Sequence, residues 1–279
     1  MAGMVTYNPD PYDLSKSVPA LIGQVNQVVI VDNGSNNISS IRKVLEPFSS
    51  VLLICNKRNE GIARALNQIF SWGGTHGYRW VLTMDDDSEV PDGMVEKYGL
   101  AMQGAVGRIG IVCPLLRNRR DGTVFHSKRS NDECITSGSL TSMDAWKAIG
   151  GFDEWLFIDE VDFDFSRRMV RAGYQILECD SVLMPHQIGD SRTIHLLGKN
   201  PIIWNHSAFR QYYIQRNRLY VDWKLGTYKP LASLCNFLKD MVFVLIWEDD
   251  KSKKINAMVR GWKAGKAKIR AMRQNSRAR

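Results

Sequence analysis

The stretch Trp80-Val81-Leu82-Thr83-Met84 is an apolar run of strand character that ends abruptly in Asp85-Asp86-Asp87-Ser88. In α/β folds, ligands gather where buried strands deliver polar side chains at their C-terminal ends. Three adjacent carboxylates repel one another, so they are costly unless solvated or neutralised by a cation. Mg²⁺ or Mn²⁺ suits such a set, because these ions take carboxylate oxygens and keep positions open for a substrate phosphate. A polar strand-end turn, which Asp and Ser favour, accounts for the same residues. The local sequence leaves both readings open.

The segments before this strand alternate regularly. Ala2 to Tyr7 reads as a strand and Asn8-Pro9-Asp10-Pro11 breaks it. A helical stretch follows to about Val25. Gln27 to Asp32 is a second strand, helical spacing runs from Ile38 to Glu46, and Val51 to Cys55 is a third strand. The turn Asn59-Glu60-Gly61 precedes a helix over Ile62 to Trp72, and Tyr78 to Met84 is the fourth strand. Continuous apolar strands separated by helices predict a mainly parallel sheet covered on both faces, an α/β nucleotide-binding sandwich. No G-x-G-x-x-G follows the first strand and no phosphate loop is present, which argues against a dinucleotide oxidoreductase, a phosphate-loop ATPase and a nucleotidyltransferase. Asp32, in Asp32-Asn33-Gly34-Ser35, reads equally as a turn former or as an acceptor for a base or ribose.

Beyond the acids, Pro91-Asp92-Gly93 opens a helix to about Gly104 and Ile109 to Pro114 is a further strand. Arg117 to Asp132 reads as an exposed, charged loop or hairpin. Ile135 to Leu140 is small and polar, and Gly138 there permits close backbone approach to a ligand. Asp144 to Ile149 reads as a short helix closed by Gly150-Gly151. A second acidic group, Asp153, Glu154, Asp159, Glu160, Asp162 and Asp164, is set among aromatic residues. Acids at a helix start gain from the dipole, whereas a carboxylate in a partly apolar site can act as a general base. Asp164 and Arg168 stand at i, i+4 and can brace a helix.

The five Cys are scattered without a C-x-x-C pair, the pattern of reduced thiols in a cytoplasm. Residues Met1 to Asp10 lack the basic-then-apolar pattern of a signal peptide. No apolar stretch approaches the roughly 20 residues of a membrane span; the longest near the end is Met241 to Trp247. The net charge of +8 is concentrated after Lys251, where 11 Lys and Arg occur with no Asp or Glu. Ile255, Met258, Val259 and Trp262 fall on one helical face of this basic tail. That pattern fits an anionic membrane surface, or a helix packed on the rest of the protein. No base-reading motif accompanies the charge, so nucleic acid is not an expected partner.

Six motifs stand in one order: Val5-Thr6-Tyr7-Asn8-Pro9, Val29 to Ser35, Asn59 to Asn67, Asp85-Asp86-Asp87-Ser88, Gly150 to Glu154, and Phe157 to Asp162 with Arg168 and Gly173-Tyr174. In this order the chain resembles the inverting glycosyltransferases of family 2, with the GT-A fold, and within them the rhamnosyltransferase branch. The resemblance covers roughly the first 220 residues. It implies a GT-A catalytic domain over 1–222, with a nucleotide-binding half to about 110 and an acceptor half after it. Residues 223–279 form a helical basic extension.

The resemblance also implies roles. Thr6, Asn8 and Asp32 hold base and ribose; Asn59, Gly61 and Arg64 line the same nucleotide pocket, with Asp85 and Asp86. Asp87, Asp85 and His186 hold Mg²⁺ or Mn²⁺. Asp162 is the general base and Asp159 the alternate, since Val161 replaces the first acid of the family's pair. Asp190, Ser191, Arg192 and Arg216 meet the diphosphate or sugar, and Gly138 and Trp155 complete the donor and acceptor contacts. The branch implies dTDP-β-L-rhamnose as donor, and the triple Asp resembles galactofuranosyltransferases that use UDP-galactofuranose. The expected acceptor is a lipid-linked glycan of cell-surface polysaccharide synthesis, and the expected location is the inner face of the cytoplasmic membrane. The non-enzymatic alternative is a glycan-binding module at a membrane surface.

Overall fold

β-branched and apolar runs that must bury both faces make a parallel sheet the economical arrangement. In the computed structural model, which describes residues 1–119, 122–186, 192–193 and 202–277, that sheet has eight strands. The first part of the chain alternates β1 (Ala2–Thr6), α1 (Pro11–Ile22), β2 (Val28–Asp32), α2 (Ile38–Leu45), β3 (Val51–Cys55), α3 (Ile62–Thr75), β4 (Trp80–Asp85) and α4 (Met94–Gln103). Then come β5 (Ile109–Asn118), β6 (Val124–His126), β7 (Lys128–Ser130), β8 (Glu133–Cys134), β9 (Ser139–Ser142) and α5 (Met143–Ala148). A 3-10 turn at Glu154–Leu156 precedes α6 (Val161–Arg171) and β10 (Gln175–His186).

The sheet order is β10-β5-β9-β4-β1-β2-β3, with β6 added to β5. β1 runs parallel to β2 and to β4, so the chain winds outward in both directions from β1. This reversal of strand order opens a crevice at the C-terminal ends of the central strands. Thr6 stands opposite Asp32 and Val5 opposite Asp85, which brings three motifs to one edge. Met4, Val28, Ile30, Leu82 and Met84 form the core with Leu14, Val18, Leu21 and Ile41 of the flanking helices. β9 lies antiparallel between β4 and β5.

Element ends differ from the sequence expectations by a few residues, except in the charged stretch 117–132. There, of the loop and the hairpin that the sequence allows, the described residues form the hairpin of β5 with β6, followed by β7. Antiparallel pairing to β5 and β8 satisfies the backbone of these strands.

The chain divides into two compact units, residues 1–157 with 161–187, and residues 158–160 with 188–279. Among described residues the second contains β11 (Arg192–Thr193) paired with β12 (Ile202–Ile203), α7 (Ala208–Lys224), α8 (Pro230–Trp247) and α9 (Lys251–Arg277). α9 lies tightly on α7, because a Cβ at Gly261 would strike the Tyr212 carbonyl and one at Gly265 the Arg216 carbonyl. The apolar face Ile255, Met258, Val259 and Trp262 packs on Phe237, Met241 and Val244 of α8. That stripe is therefore used inside the unit.

The expectation that no apolar stretch approaches a membrane span is corrected here. α8 has 18 residues and is long and apolar enough, by length and composition, to cross one. Lys239 and Asp240 interrupt the run in sequence. In the helix, Asp240 turns inward and accepts hydrogen bonds from Gln215 (3.0 Å) and Arg218 (2.7 Å), so the opposite side stays apolar.

Lys254, one of the tail's cations, is buried. Its Nζ donates to Glu248 at 2.9 Å and to Asn205, and both members of the ion pair are 4 % exposed. Lys254→Met leaves Glu248 buried without its cation, and should cost about 3–5 kcal/mol in urea unfolding. Adding Glu248→Gln should restore most of that loss. Gly261→Ala should destabilise by about 1–3 kcal/mol in the same measurement, through overpacking of α7 against α9.

Candidate active site

The edge formed by β1, β2 and β4 is built on Asp32. Its side chain is buried and accepts from the Thr6 hydroxyl at 3.2 Å and from the Gly34 and Ser35 backbone N–H groups at 3.2 and 3.0 Å. Asn8 adopts a positive φ of 52° and joins the same network. Its N–H donates to Ser35 Oγ at 2.7 Å, and its side-chain oxygen accepts from the Asn36 N–H at 2.8 Å. Thr6, Asn8 and Asp32 are thus brought together, and much of the Asp32 carboxylate holds its own turn.

Asn59 accepts from Asn33 Nδ2 at 3.0 Å and from the Gly61 N–H at 2.9 Å. Gly61 has φ +87°, and a Cβ there would lie 2.8 Å from the Phe157 Cα. The Ile62 N–H donates to the Phe157 carbonyl at 2.7 Å. The glycine at 61 is explained by this close passage of residue 157, a tertiary contact that no local motif reveals. Arg64 is exposed and pairs with Glu60 at 3.5 Å. Gly138 has φ +75°, and Met184 and Pro114 fill the space a Cβ would take. Packing accounts for this glycine without a ligand.

The acids at the end of β4 grade from half-buried Asp85 and Asp86 to exposed Asp87. Burial first, then the Asp87 carboxylate, pushes Asp85 up to about 6, against a hydrogen bond from Ser137. Asp86 is pushed up to about 7 by burial, then by Asp87 and Asp85, and the Tyr7 and Asp86 N–H groups pull the other way. The Tyr7 bond ties the end of β1 to the acids. Arg119 donates to the Asp87 carbonyl at 3.0 Å and pairs with Glu89 at 3.2 Å. Among described residues there is no closed set of three His, Cys, Asp or Glu side chains around a metal position. The donors that are present are hard carboxylate oxygens crowded against like charge, and a divalent cation relieves such crowding. They fit Mg²⁺ or Mn²⁺.

His186 ends β10, and its side chain lies outside the described residues, as does that of Arg192 in β11. Asp190 and Ser191 lie outside them altogether.

The second acidic group separates into different tasks. Asp164 is fully buried and bound to Arg168 at 2.8 Å, while Arg168 also donates to the Ile149 and Gly151 carbonyls at 2.7 Å each. This pair braces α6 against the Gly150-Gly151 turn. Asp153 caps the 3-10 turn by accepting from the Trp155 N–H at 3.1 Å, which places Trp155 at its start. Asp162 lies in the first turn of α6, half-buried, and one of its oxygens accepts from the Phe163 N–H at 3.0 Å.

The segment Cys134–Ser137 joins the two acidic groups. The Ser166 hydroxyl donates to the Asp162 carbonyl at 2.8 Å and accepts from the Cys134 N–H at 3.4 Å. The Asp162 charge is one of the causes that raise the Cys134 thiol, behind the neighbouring Cys113 and burial. Three residues on, Ser137 Oγ accepts from the Asp85 N–H at 3.2 Å and contacts Ser88 Oγ at 3.1 Å. Three residues of chain span at most about 11 Å. The segment 134–137 therefore links the first turn of α6 to the end of β4. Ser137 and Ser88 escaped the sequence reading; the small polar run 135–140 was the available signal.

Asp159 and Arg216 belong to the second unit. Asp159 has φ 63°, within a run of positive φ at Phe157, Asp159 and Glu160. Arg210 grips its carboxylate, from Nη2 at 2.5 Å and Nε at 3.2 Å. The Asn217 amide donates to the Ile158 and Asp159 carbonyls at 2.7 and 2.9 Å, holding this strained turn in place. Arg216 is buried, donates to Asn217 Oδ1 at 2.7 Å and stacks on Tyr213.

Residues 2–158 match the family model described as glycosyl transferase family 2. The chain is 30 % identical over 262 residues to the dTDP-rhamnosyl transferase RfbF of Shigella flexneri, covering 88 % of this chain and 85 % of that protein. It is 26 % identical over 253 residues to the galactofuranosyltransferase GlfT1 of Mycobacterium tuberculosis, covering 80 % and 82 %. Among solved structures it resembles the mannosyltransferase PcManGT from Pyrobaculum calidifontis in complex with GDP-Man and Mn²⁺, with a TM-score of 0.58, 16 % identity and coverage of 99 % and 79 %. It also resembles S. aureus TarS 1-349 in complex with UDP-GlcNAc, at 0.59, 15 %, 97 % and 82 %. The parallel sheet with β9 inserted antiparallel is the GT-A architecture, and the chain is a glycosyltransferase that belongs to glycosyl transferase family 2.

Proposed function

We propose that the protein moves a sugar from a nucleoside-diphosphate donor to a glycan hydroxyl with inversion at the anomeric carbon. The observation that supports this reading is the short bridge 134–137, hydrogen-bonded to the first turn of α6 at one end and to the end of β4 at the other. Asp162 takes the proton of the acceptor hydroxyl. That oxygen bonds to the anomeric carbon as the carbon–oxygen bond to the diphosphate breaks, and the nucleoside diphosphate leaves from the opposite face. Asp162 is favoured over Asp159 as the base, because Arg210 already holds the Asp159 carboxylate. Thr6, Asn8, Asp32, Asn59 and Arg64 stand at the nucleotide end of the crevice. Asp87, Asp85 and His186 would hold Mg²⁺ or Mn²⁺, which supplies positive charge to the leaving diphosphate.

The donor we propose is dTDP-β-L-rhamnose, supported by the likeness to RfbF over most of both chains. UDP-galactofuranose is the second reading, supported by the likeness to GlfT1. We place the acceptor among lipid-linked glycans of cell-surface polysaccharide synthesis, and the enzyme at the inner face of the cytoplasmic membrane.

Asp162→Asn should lower turnover by roughly 10²–10⁴-fold while leaving donor affinity near normal; near-normal rates would overturn the assignment of the base. In a thermal-shift series with Mn²⁺, dTDP-rhamnose should raise the melting temperature more than UDP-galactofuranose does, since ligands that bind only the folded chain stabilise it. EDTA or Asp87→Ala should remove most of that shift. A larger shift with UDP-galactofuranose would exchange the two donors. Donor binding with no transfer or hydrolysis would leave a binding module.

A further inference from the structure

The apolar side of α8 is solvent-exposed among the described residues of its unit. Leu231, Leu234, Leu238, Val242, Leu245 and Ile246 are between 42 % and 80 % exposed. At 100° per residue they occupy one sector of about 120°, some 23 Å long, and no charged residue falls within it. Six large apolar side chains in one continuous stripe exceed what scattered surface hydrophobics account for. The inner side is different: Phe237 and Val244 are buried with Met258, and Asp240 is bound to Gln215 and Arg218. Tyr228 and Trp247, both half-buried, flank the two ends of the helix. Aromatic side chains with one polar atom suit the boundary between hydrocarbon and water.

We propose that α8 lies in the surface of an anionic phospholipid bilayer, parallel to its plane, with this stripe turned into the acyl chains. Charge selects the occupant. α9, joined to α8 by three residues, carries ten Lys and Arg and no acid between Lys251 and Arg277. Anionic headgroups attract such a helix at about 1 kcal/mol per cation close to the surface, whereas a second copy would bring like charge against it. Packing selects the orientation. A spanning α8 would draw Asp240, Arg218 and the Lys254–Glu248 pair into hydrocarbon, where ionised groups are expensive. Lying in the plane keeps these groups, and the helices that bear them, on the water side. The membrane contact thus falls to α8, while the apolar face of α9 is spent inside the unit. The inference does not depend on which donor the enzyme uses.

The test is co-sedimentation of the full chain with vesicles of phosphatidylcholine alone or mixed with phosphatidylglycerol. The wild type should pellet with the anionic vesicles and much less with neutral ones. Leu234→Gln, Leu238→Gln and Val242→Gln together should weaken that binding roughly tenfold or more. This triple variant should keep its circular dichroism and its donor-induced thermal shift, which separates loss of the surface from loss of the fold. Lys263→Gln, Lys266→Gln and Arg270→Gln together should reduce the preference for anionic over neutral vesicles. Wild-type binding by the apolar triple variant would overturn the proposal. So would a concentration-dependent dimer in the absence of lipid that the triple variant abolishes, which would assign the stripe to a second copy. Resistance of the bound protein to alkaline carbonate would overturn the in-plane orientation.

Discussion

Crowded negative charge at the end of β4 is the constraint on which the site turns. A parallel sheet buries β4 on both faces and offers its polar residues only one exit, the C-terminal edge. Asp85 and Asp86 leave the strand before they reach open solvent, so burial and their neighbour Asp87 hold their proton affinity far above that of a free carboxylate. The fold tolerates this through local donors. Ser137 approaches Asp85, and the Tyr7 N–H approaches Asp86. Such an arrangement is poorly satisfied in isolation and well suited to a cation with an anionic ligand.

The antiparallel strand β9 and the segment leading into it give this edge its second wall. The stretch 134–137 is hydrogen-bonded to α6 at one end and to β4 at the other. Acids that stand close together in the chain take different environments. Asp164 is consumed by Arg168, Asp153 caps a turn, and Asp162 retains a half-buried carboxylate at the start of a helix. The separation follows from side-chain direction along α6, since residues two apart on a helix point to different sides.

In the second unit, the same sequence feature acquires two uses. The basic tail folds as one long helix whose glycines allow close contact with α7 and whose apolar face covers one side of α8. Apart from Lys254, most of its described cations are exposed. α8 is left with a buried side that carries Asp240 and an exposed apolar stripe that Lys239 borders. Asn217, from α7, spends its amide on two carbonyls of the strained turn 158–159 in the same unit.

Much of this was legible in the chain itself. The alternation of apolar runs with helical spacing dictates a parallel sheet, and strand ends that carry Thr6, Asp32 and Asp85 dictate where a site can form, because strand polarity is common to all three. The order of motifs carried the family. What the sequence left undecided was how each polar residue is spent. Gly61 and Gly138 look like ligand-approach glycines but make room for Phe157 and for Met184 with Pro114. The i, i+4 spacing offers Asp164 its partner Arg168, and only packing shows the pair buried, with Arg168 bound to the Ile149 and Gly151 carbonyls. The tail looks like the membrane-facing element until α8 covers its apolar face. Each of these was decided by contacts between residues remote in the chain, which no local pattern encodes: periodicity states which side of an element is apolar, and only the packed structure states what that side meets.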